Sequence, residues 1–265
     1  MILNVLIFCF FIVLLPLFIL NYSFSYILEF SNFDFITPKT TLAETTFQFH
    51  HDLIVLLLWI LGFIIYFLYA SIQLYKIKNN LKINKNFYGF SYYKHKGVYI
   101  EIIWTIVPAV ILFFIAVPSF ALLYSTGFYI EPEFTFKAIG NQWYWRYEYF
   151  CYNTNQFGST EAFLLSTSEA QETDEAALRL LAPTVSINVP VETNIRILVT
   201  SRDVLHSWSM PALAIKLDAC PGRLNEGFVF ITIIGMLFGT CSEICGVNHA
   251  FMPTGLRAIS RFQWS

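Results

Sequence analysis

The sequence predicts two membrane-spanning helices followed by an all-β domain, and three observations carry that prediction. Hydrophobic residues make up 56% of the chain and charged ones only 13%, a balance far from that of soluble domains. Two long apolar runs, about 53–74 and 100–124, occupy the first half, and each is long enough to cross a bilayer. From Phe128 onward apolar residues recur at alternate positions in short bursts punctuated by Pro and Gly, as in strands. The expected parts are 1–48, an apolar leader or extra helix plus an irregular segment; 49–125, a transmembrane helix hairpin with a Lys-rich loop; and 126–265, the β domain.

Residues 1–20 are almost continuously apolar, broken by Asn4, Cys9 and Pro16. They read as a secretory-type leader or a third membrane helix; a basic n-region and a small-residue cleavage motif are both lacking. Residues 21–48, aromatic and polar by turns with Pro38, read as an irregular surface segment. The first span, Leu53 to Leu74, carries no charge and has Trp59, Tyr66 and Tyr69 within it, with Tyr75 just beyond its end. His50 and His51, next to Asp52, suit headgroup level better than metal ligation. The second span, Ile100 to Tyr124, contains Pro108 and Pro118, which membrane helices tolerate.

Between the spans, Lys76, Lys78, Lys82, Lys85, Lys94 and Lys96 are accompanied by one His and no acid. Short Lys-rich loops stay on the cytoplasmic side, which for a mitochondrial protein is the matrix. The C-terminal domain then faces the opposite compartment. That domain is mildly acidic, the whole chain carries a net charge of −2, and no basic footprint for nucleic acid exists.

In the β domain the candidate strands are Phe134–Ile139, Trp143–Tyr149, Val185–Val189, Ile195–Thr200, Leu213–Leu217, Phe228–Ile233, Met236–Thr240 and Leu256–Phe262. Many short strands with turn signals mean a sandwich or barrel. Residues 153–177, rich in Ser, Thr and Glu, read as a long surface loop.

The chemistry concentrates in Cys241-Ser242-Glu243-Ile244-Cys245-Gly246-Val247-Asn248-His249-Ala250-Phe251-Met252. Two thiols, an imidazole and a thioether at these spacings form a soft donor set, and a thioether suits copper rather than zinc. His206 is the only other histidine of residues 129–265. Together these residues offer one thiolate more than a mononuclear blue-copper site uses, and two thiolates bridging two copper ions is the economical reading. A Cys241–Cys245 disulfide is the alternative on an oxidising face of a membrane. Five cysteines with no even spacing argue against a disulfide framework, and the absence of C-x-x-C-H argues against a covalently attached c-type haem. Cys9, Cys151 and Cys220 read as small buried hydrophobes.

The string from Asp203-Val204-Leu205-His206-Ser207-Trp208, through Pro221-Gly222-Arg223-Leu224-Asn225, to Cys241–Pro253 resembles cytochrome c oxidase subunit II and its CuA centre. The likeness extends from about residue 45 to the end. It implies a cupredoxin-like Greek-key barrel and a multi-pass protein of the mitochondrial inner membrane with its C-terminal domain in the intermembrane space. It also implies partnership with subunit I, other subunits of the complex, cytochrome c and membrane lipid. By the resemblance, Cys241 and Cys245 bridge two copper ions, His206 and His249 each terminate one, and Met252 and the Glu243 carbonyl are weak ligands. The Glu243 side chain would reach a magnesium ion shared with the catalytic subunit; the alternative is an ordinary loop carboxylate.

The run Gln142-Trp143-Tyr144-Trp145-Arg146-Tyr147-Glu148-Tyr149 reads as an aromatic belt at headgroup level. Alternation would put Trp143, Trp145, Tyr147 and Tyr149 on one face. The resemblance singles out Trp143 as the point where the electron from cytochrome c arrives. Asp203 and the acids of 161–175 are candidates to steer a basic partner, or simply a solvated face; Arg202 stands where many members carry an acid. Glu101 is explained by the macrodipole at a helix start, and the resemblance offers a second role, the entrance of a proton path in the neighbouring subunit. Two other readings compete. A copper-free quinol-oxidase relative would lack the Cys, His and Met ligands, and a tethered copper carrier or zinc protein would not need the tryptophan run or the match across both helices.

Overall fold

A computed structural model describes residues 35–80, 97–127, 131–151, 156–166 and 180–264. The expectations for residues 1–20, for the greater part of the lysine-rich loop and for the side chains of Cys9 and Cys151 lie outside that set. The described residues divide into two compact units, 48–121 and 35–47 with 122–265.

The first unit is helical. Helix α1 spans Thr41–Asn80 and helix α2 spans Gly97–Thr126. No residue of α2 is buried, and Leu57, Ile64, Phe113 and Phe114 are among many exposed apolar side chains on the two helices. Such surfaces suit lipid rather than water. Pro108 and Pro118 lie inside α2 without ending it, as in membrane helices where neighbouring groups re-satisfy the freed carbonyls.

Helix α1 starts well before the apolar span, where an irregular segment is expected from sequence. The Thr40 hydroxyl accepts the Ala43 N–H at 3.0 Å, an N-cap, and Glu44 sits in the first turn. The Thr/Glu cluster is therefore a helix start. The same Thr40 hydroxyl donates to Leu213 O at 3.2 Å. Lys39 N–H donates to Ala212 O, and its carbonyl accepts Thr232 N–H. This strap explains why residues 35–47 belong with the β domain.

Among the described residues ten strands build that domain: β1 Phe134–Asn141, β2 Tyr144–Cys151, β3 Gln156–Ala162, β4 Ile187–Pro190, β5 Asn194–Ser201, β6 His206–Met210, β7 Ile215–Ala219, β8 Asn225–Phe230, β9 Gly235–Thr240 and β10 Pro253–Ile259. They form a five-stranded sheet in the order β3-β2-β1-β5-β8, a three-stranded sheet β4-β10-β9 and a ribbon β6-β7. The β1–β5 and β4–β10 pairs are parallel and the rest antiparallel. The sheets do not close into one continuous barrel. Phe136, Trp145, Tyr147, Ile197, Trp208, Leu237 and Leu256 fill the space between them.

Three expectations need correction. The stretch 153–177 contains β3, whose alternation is masked by its polar composition but which pairs along its length with β2. His206–Met210 is a strand, buried at every position and hence without the alternation that would reveal it. Trp143 is not in a strand: it lies in the turn between β1 and β2 that closes at Asn141↔Tyr144. The facing of Trp145 and Tyr147 into the core is as expected. Opposite them, Glu148 pairs with Arg146 and Lys137 at 3.6 and 3.4 Å.

Candidate metal centre

The ligand loop leaves β9 at Cys241 and returns to β10 after Met252, so both ends are pinned by the β9–β10 ladder. Cys241 N–H donates to Met252 O, and Ser242 N–H donates to Ser207 O. A bridge between Trp208 and Cys241 brings β6 alongside. His206, at the start of β6, thus arrives from a separate part of the sequence. Gly140 on β1 leaves room for it, since a Cβ there would stand 2.7 Å from the imidazole Cδ2.

The donor atoms converge. His206 Nδ1 is 3.9 Å from Cys241 Sγ, His249 Nδ1 is 3.6 Å from Cys245 Sγ, and Met252 Sδ is 3.5 Å from Cys245 Sγ. The Glu243 carbonyl oxygen is 3.4 Å from Cys241 Sγ. The His206, Cys241 and Cys245 ligand atoms all lie within 4.8 Å of one another. Both thiols are free, which removes the disulfide alternative in this structure, and both are buried. His206 and Met252 are buried as well; His249 is partly exposed.

Asp203 sits behind His206. Its carboxylate accepts His206 Nε2–H at 2.8 Å and the backbone N–H groups of Val204 and Gln142 at 2.6 Å each. This fixes the tautomer that leaves Nδ1 free to face the thiol, the usual device for orienting a ligating imidazole. Burial pushes the Asp203 carboxyl up, but those three hydrogen bonds outweigh it and hold the group ionised below its ordinary range. For His206, burial works against the charged form, and the bonds to Cys241 and Asp203 win, raising it. Burial likewise opposes ionisation of Cys241, yet the bond it makes with His206, whose protonated ring donates from Nδ1 to the thiolate, and bonds with the backbone of Ser207 and Glu243 bring it down to about 6. Cys245 moves the other way, to about 12, through burial and the neighbouring Cys241 charge. Of the two thiols, Cys241 is the one its surroundings favour as a thiolate.

Trp143 packs on this loop. A Cβ on Gly246, whose φ is +130°, would stand 3.0 Å from Trp143 Cζ2 and 3.2 Å from Nε1. Gln142 donates from Nε2 to the Cys245 carbonyl at 2.8 Å. Deeper in, Trp145 meets His206 edge-on, with ring centroids 6.0 Å apart. Trp208 Nε1–H donates to the Tyr147 hydroxyl at 3.3 Å, and burial raises the Tyr147 phenol.

Comparison with known proteins shows the family of the chain. The family description "Cytochrome C oxidase subunit II, periplasmic domain" matches residues 134–259, and "Cytochrome C oxidase subunit II, transmembrane domain" matches residues 29–122. A cytochrome c oxidase subunit 2 from Phytophthora megasperma is 46% identical over 228 residues, 85% of this chain and 82% of the relative. The chain belongs to the cytochrome c oxidase subunit II family. The Saccharomyces cerevisiae subunit 2 is 44% identical over 227 residues, covering 86% of this chain and 85% of its own. Among solved structures, the periplasmic domain of subunit II of Bradyrhizobium japonicum is 37% identical, covers 51% of this chain and 90% of its own, and superposes with a TM-score of 0.44. The fold class expected from sequence, a helix pair followed by a cupredoxin-like β domain, is that of the family.

Of the residues singled out from sequence, the structure brings together His206, Cys241, Glu243, Cys245, His249 and Met252, with Trp143 and Asp203 against them. Glu101, expected at a helix start, lies past the first turn of α2, which holds no acid, so the macrodipole does not account for it. Gly140 and Gln142 were not singled out from sequence. Both flank the tryptophan run, and only the closeness of β1 to β6 gives them a role.

Proposed function

We propose that this subunit II chain is the electron-receiving subunit of a cytochrome c oxidase. It takes electrons one at a time from reduced cytochrome c and passes them to haem in the catalytic subunit, where oxygen is reduced to water with proton pumping. The observation that supports this most is the convergence of two free thiols, two imidazole Nδ1 atoms, a thioether and a backbone carbonyl in one buried pocket. That set fits a binuclear copper centre, which Cys241 and Cys245 would hold as shared thiolate ligands and His206 and His249 as one imidazole ligand each, with Met252 and the Glu243 carbonyl as weaker ligands. Such a copper pair supplies a one-electron store shared between two metals.

The chain's own residues do the rest. The β9–β10 ladder holds the loop ends side by side at fixed register, so the ligands keep their positions between redox states. Asp203 holds the His206 ring, and burial of the thiols keeps water away. Trp143, packed against the loop at Gly246 and partly exposed, offers an aromatic edge through which the electron arrives. Exposed charge at Asp203 favours a basic donor. The Glu243 carboxylate makes no hydrogen bond or ion pair among the described residues, which leaves it open to a magnesium ion at the junction with the catalytic subunit. Glu101 is assigned to the entrance of a proton path in that subunit. The protein is placed in the mitochondrial inner membrane, with the lysine-rich loop in the matrix and the β domain in the intermembrane space.

Metal analysis of the purified β domain, with electron paramagnetic resonance of its oxidised site, tests the reading. Copper at two ions per β domain with an electron shared over both is expected. One copper with a mononuclear blue spectrum, or zinc in its place, overturns it.

A further inference from the structure

We propose that Gln142 is a positioning residue: its side-chain amide, bonded to the Cys245 carbonyl, holds the Trp143 indole against the copper-ligand loop. This rests on the electron-receiving role proposed above for Trp143.

Three observations on the turn between β1 and β2 lead here. The Trp143 indole touches the loop at Gly246 through ring carbon and Nε1, yet Nε1 is buried and has no hydrogen-bond partner. The ring is therefore seated by packing alone and has no bond of its own to fix its depth. Gln142, one residue away, supplies the missing anchor. Its Nε2 donates to Cys245 O at 2.8 Å, its backbone N–H donates to Asp203 Oδ2 at 2.6 Å, and Asp203 in turn holds His206. Gln142 thus ties the turn to both arms of the site. A Cβ at Gly246 would also stand 3.3 Å from Gln142 Nε2, so amide, indole and loop backbone are packed as one layer. That leaves little slack in which the ring could shift without breaking the amide bond.

The consequence follows from how orientation enters a rate. In bond-making steps, displacing a reacting group by about 1 Å can cost on the order of a hundredfold; electron transfer makes no bond and falls off less steeply with distance. Losing an amide donor on a partly exposed turn is a milder disturbance, and roughly a tenfold loss in transfer is expected. The ligands themselves stay in place, because the β9–β10 ladder and Asp203 hold them independently of the Gln142 side chain.

The test uses the complete oxidase carrying Gln142→Met, which keeps length and removes the donor, and Gln142→Glu, which at neutral pH places an acceptor against the Cys245 carbonyl. Copper content, cytochrome c association and its salt dependence, first-order transfer within the bound complex, and the internal copper-to-haem step are measured separately. Both variants should keep their copper and internal step and lose roughly tenfold in transfer within the complex, with Gln142→Met leaving association unchanged. Gln142→Met combined with Trp143→Phe should be no slower than Trp143→Phe alone, since both act on one path. Loss of copper in both single variants, or a wild-type transfer rate in both, overturns the proposal, as does full additivity in the double variant. If Trp143→Phe itself transfers normally, the electron-receiving role of Trp143 fails and takes this inference with it. If Trp143→Phe is slow while both Gln142 variants are normal, only the inference fails.

Discussion

Asp203 Oδ1 lies 2.8 Å from His206 Nε2, on the side of the ring away from Cys241. The carboxylate expected to steer a basic partner is thus also the one that orients a metal ligand. Its side chain is still 33% exposed, so it can serve both roles. Asp203→Asn should slow association with cytochrome c and weaken its dependence on ionic strength, because exposed charge is screened over about 8–10 Å near physiological salt. It should also raise the reduction potential of the copper site, since a negative charge that favours the oxidised form is lost. Stopped-flow association across ionic strengths and a potentiometric titration separate the two effects. An unchanged potential would leave Asp203 with a role toward the partner alone.

The two thiols should titrate far apart in the copper-free domain. As pH rises through about 6, Cys241 gives up its proton and one thiolate appears; Cys245 holds its proton until about 12. In a domain carrying Cys151→Ser and Cys220→Ser, so that only these two thiols remain, ultraviolet thiolate absorption should therefore rise in a first step of one thiolate, stay flat through neutral pH, and rise again only in strong alkali. His206→Asn removes the imidazole bond that lowers Cys241 and should move the first step upward. Two thiolates appearing together near the ordinary thiol range would show that the sites are not held as the structure has them.

Gly140→Ala addresses the room made for His206. The added Cβ would stand 2.7 Å from Cδ2 and 2.9 Å from Cγ of the imidazole, so the ring or β1 must move. Overpacking of this kind costs about 1–3 kcal/mol. Urea unfolding of the copper-free protein should show that loss, and retained copper should fall, because His206 Nδ1 would be displaced from Cys241. Wild-type copper with wild-type stability would mean that β1 and β6 separate more easily than their packing suggests.

What could be read from the sequence follows from where each signal lives. The two spans are legible because twenty-odd apolar residues without charge have few other uses, and the soft ligands because Cys, His and Met at close spacing are rare by chance. Helix α1's early start was hidden because Thr40 and Glu44 look equally like a polar loop. Strand β6 was hidden because all five of its residues are buried, which erases the period-two pattern. The roles of Gly140, Gln142 and Asp203 depend on contacts between β1, the β1–β2 turn and the segment before β6, and no local pattern in the chain records that adjacency.

Trp143→Phe should show where the electron arrives. No charge is lost, so association of cytochrome c and its salt dependence should stay near wild type. Copper content and the copper-to-haem step should also hold, because the indole packs against the loop at Gly246 and is not itself a ligand. Transfer within the bound complex should slow, since the smaller ring withdraws from the surface or from the loop. Tyr144→Phe is the fitting control: its ring stacks on Phe163 at 4.7 Å, away from the ligand loop, and transfer should be unaffected. Trp145 is unsuitable as a control, being fully buried against His206; Trp145→Phe should leave a cavity beside the ligand and lower copper retention. Single-turnover mixing with pre-reduced cytochrome c reads all of these. If Trp143→Phe transfers at the wild-type rate while Tyr144→Phe is slow, the electron arrives along the strand face rather than over the turn.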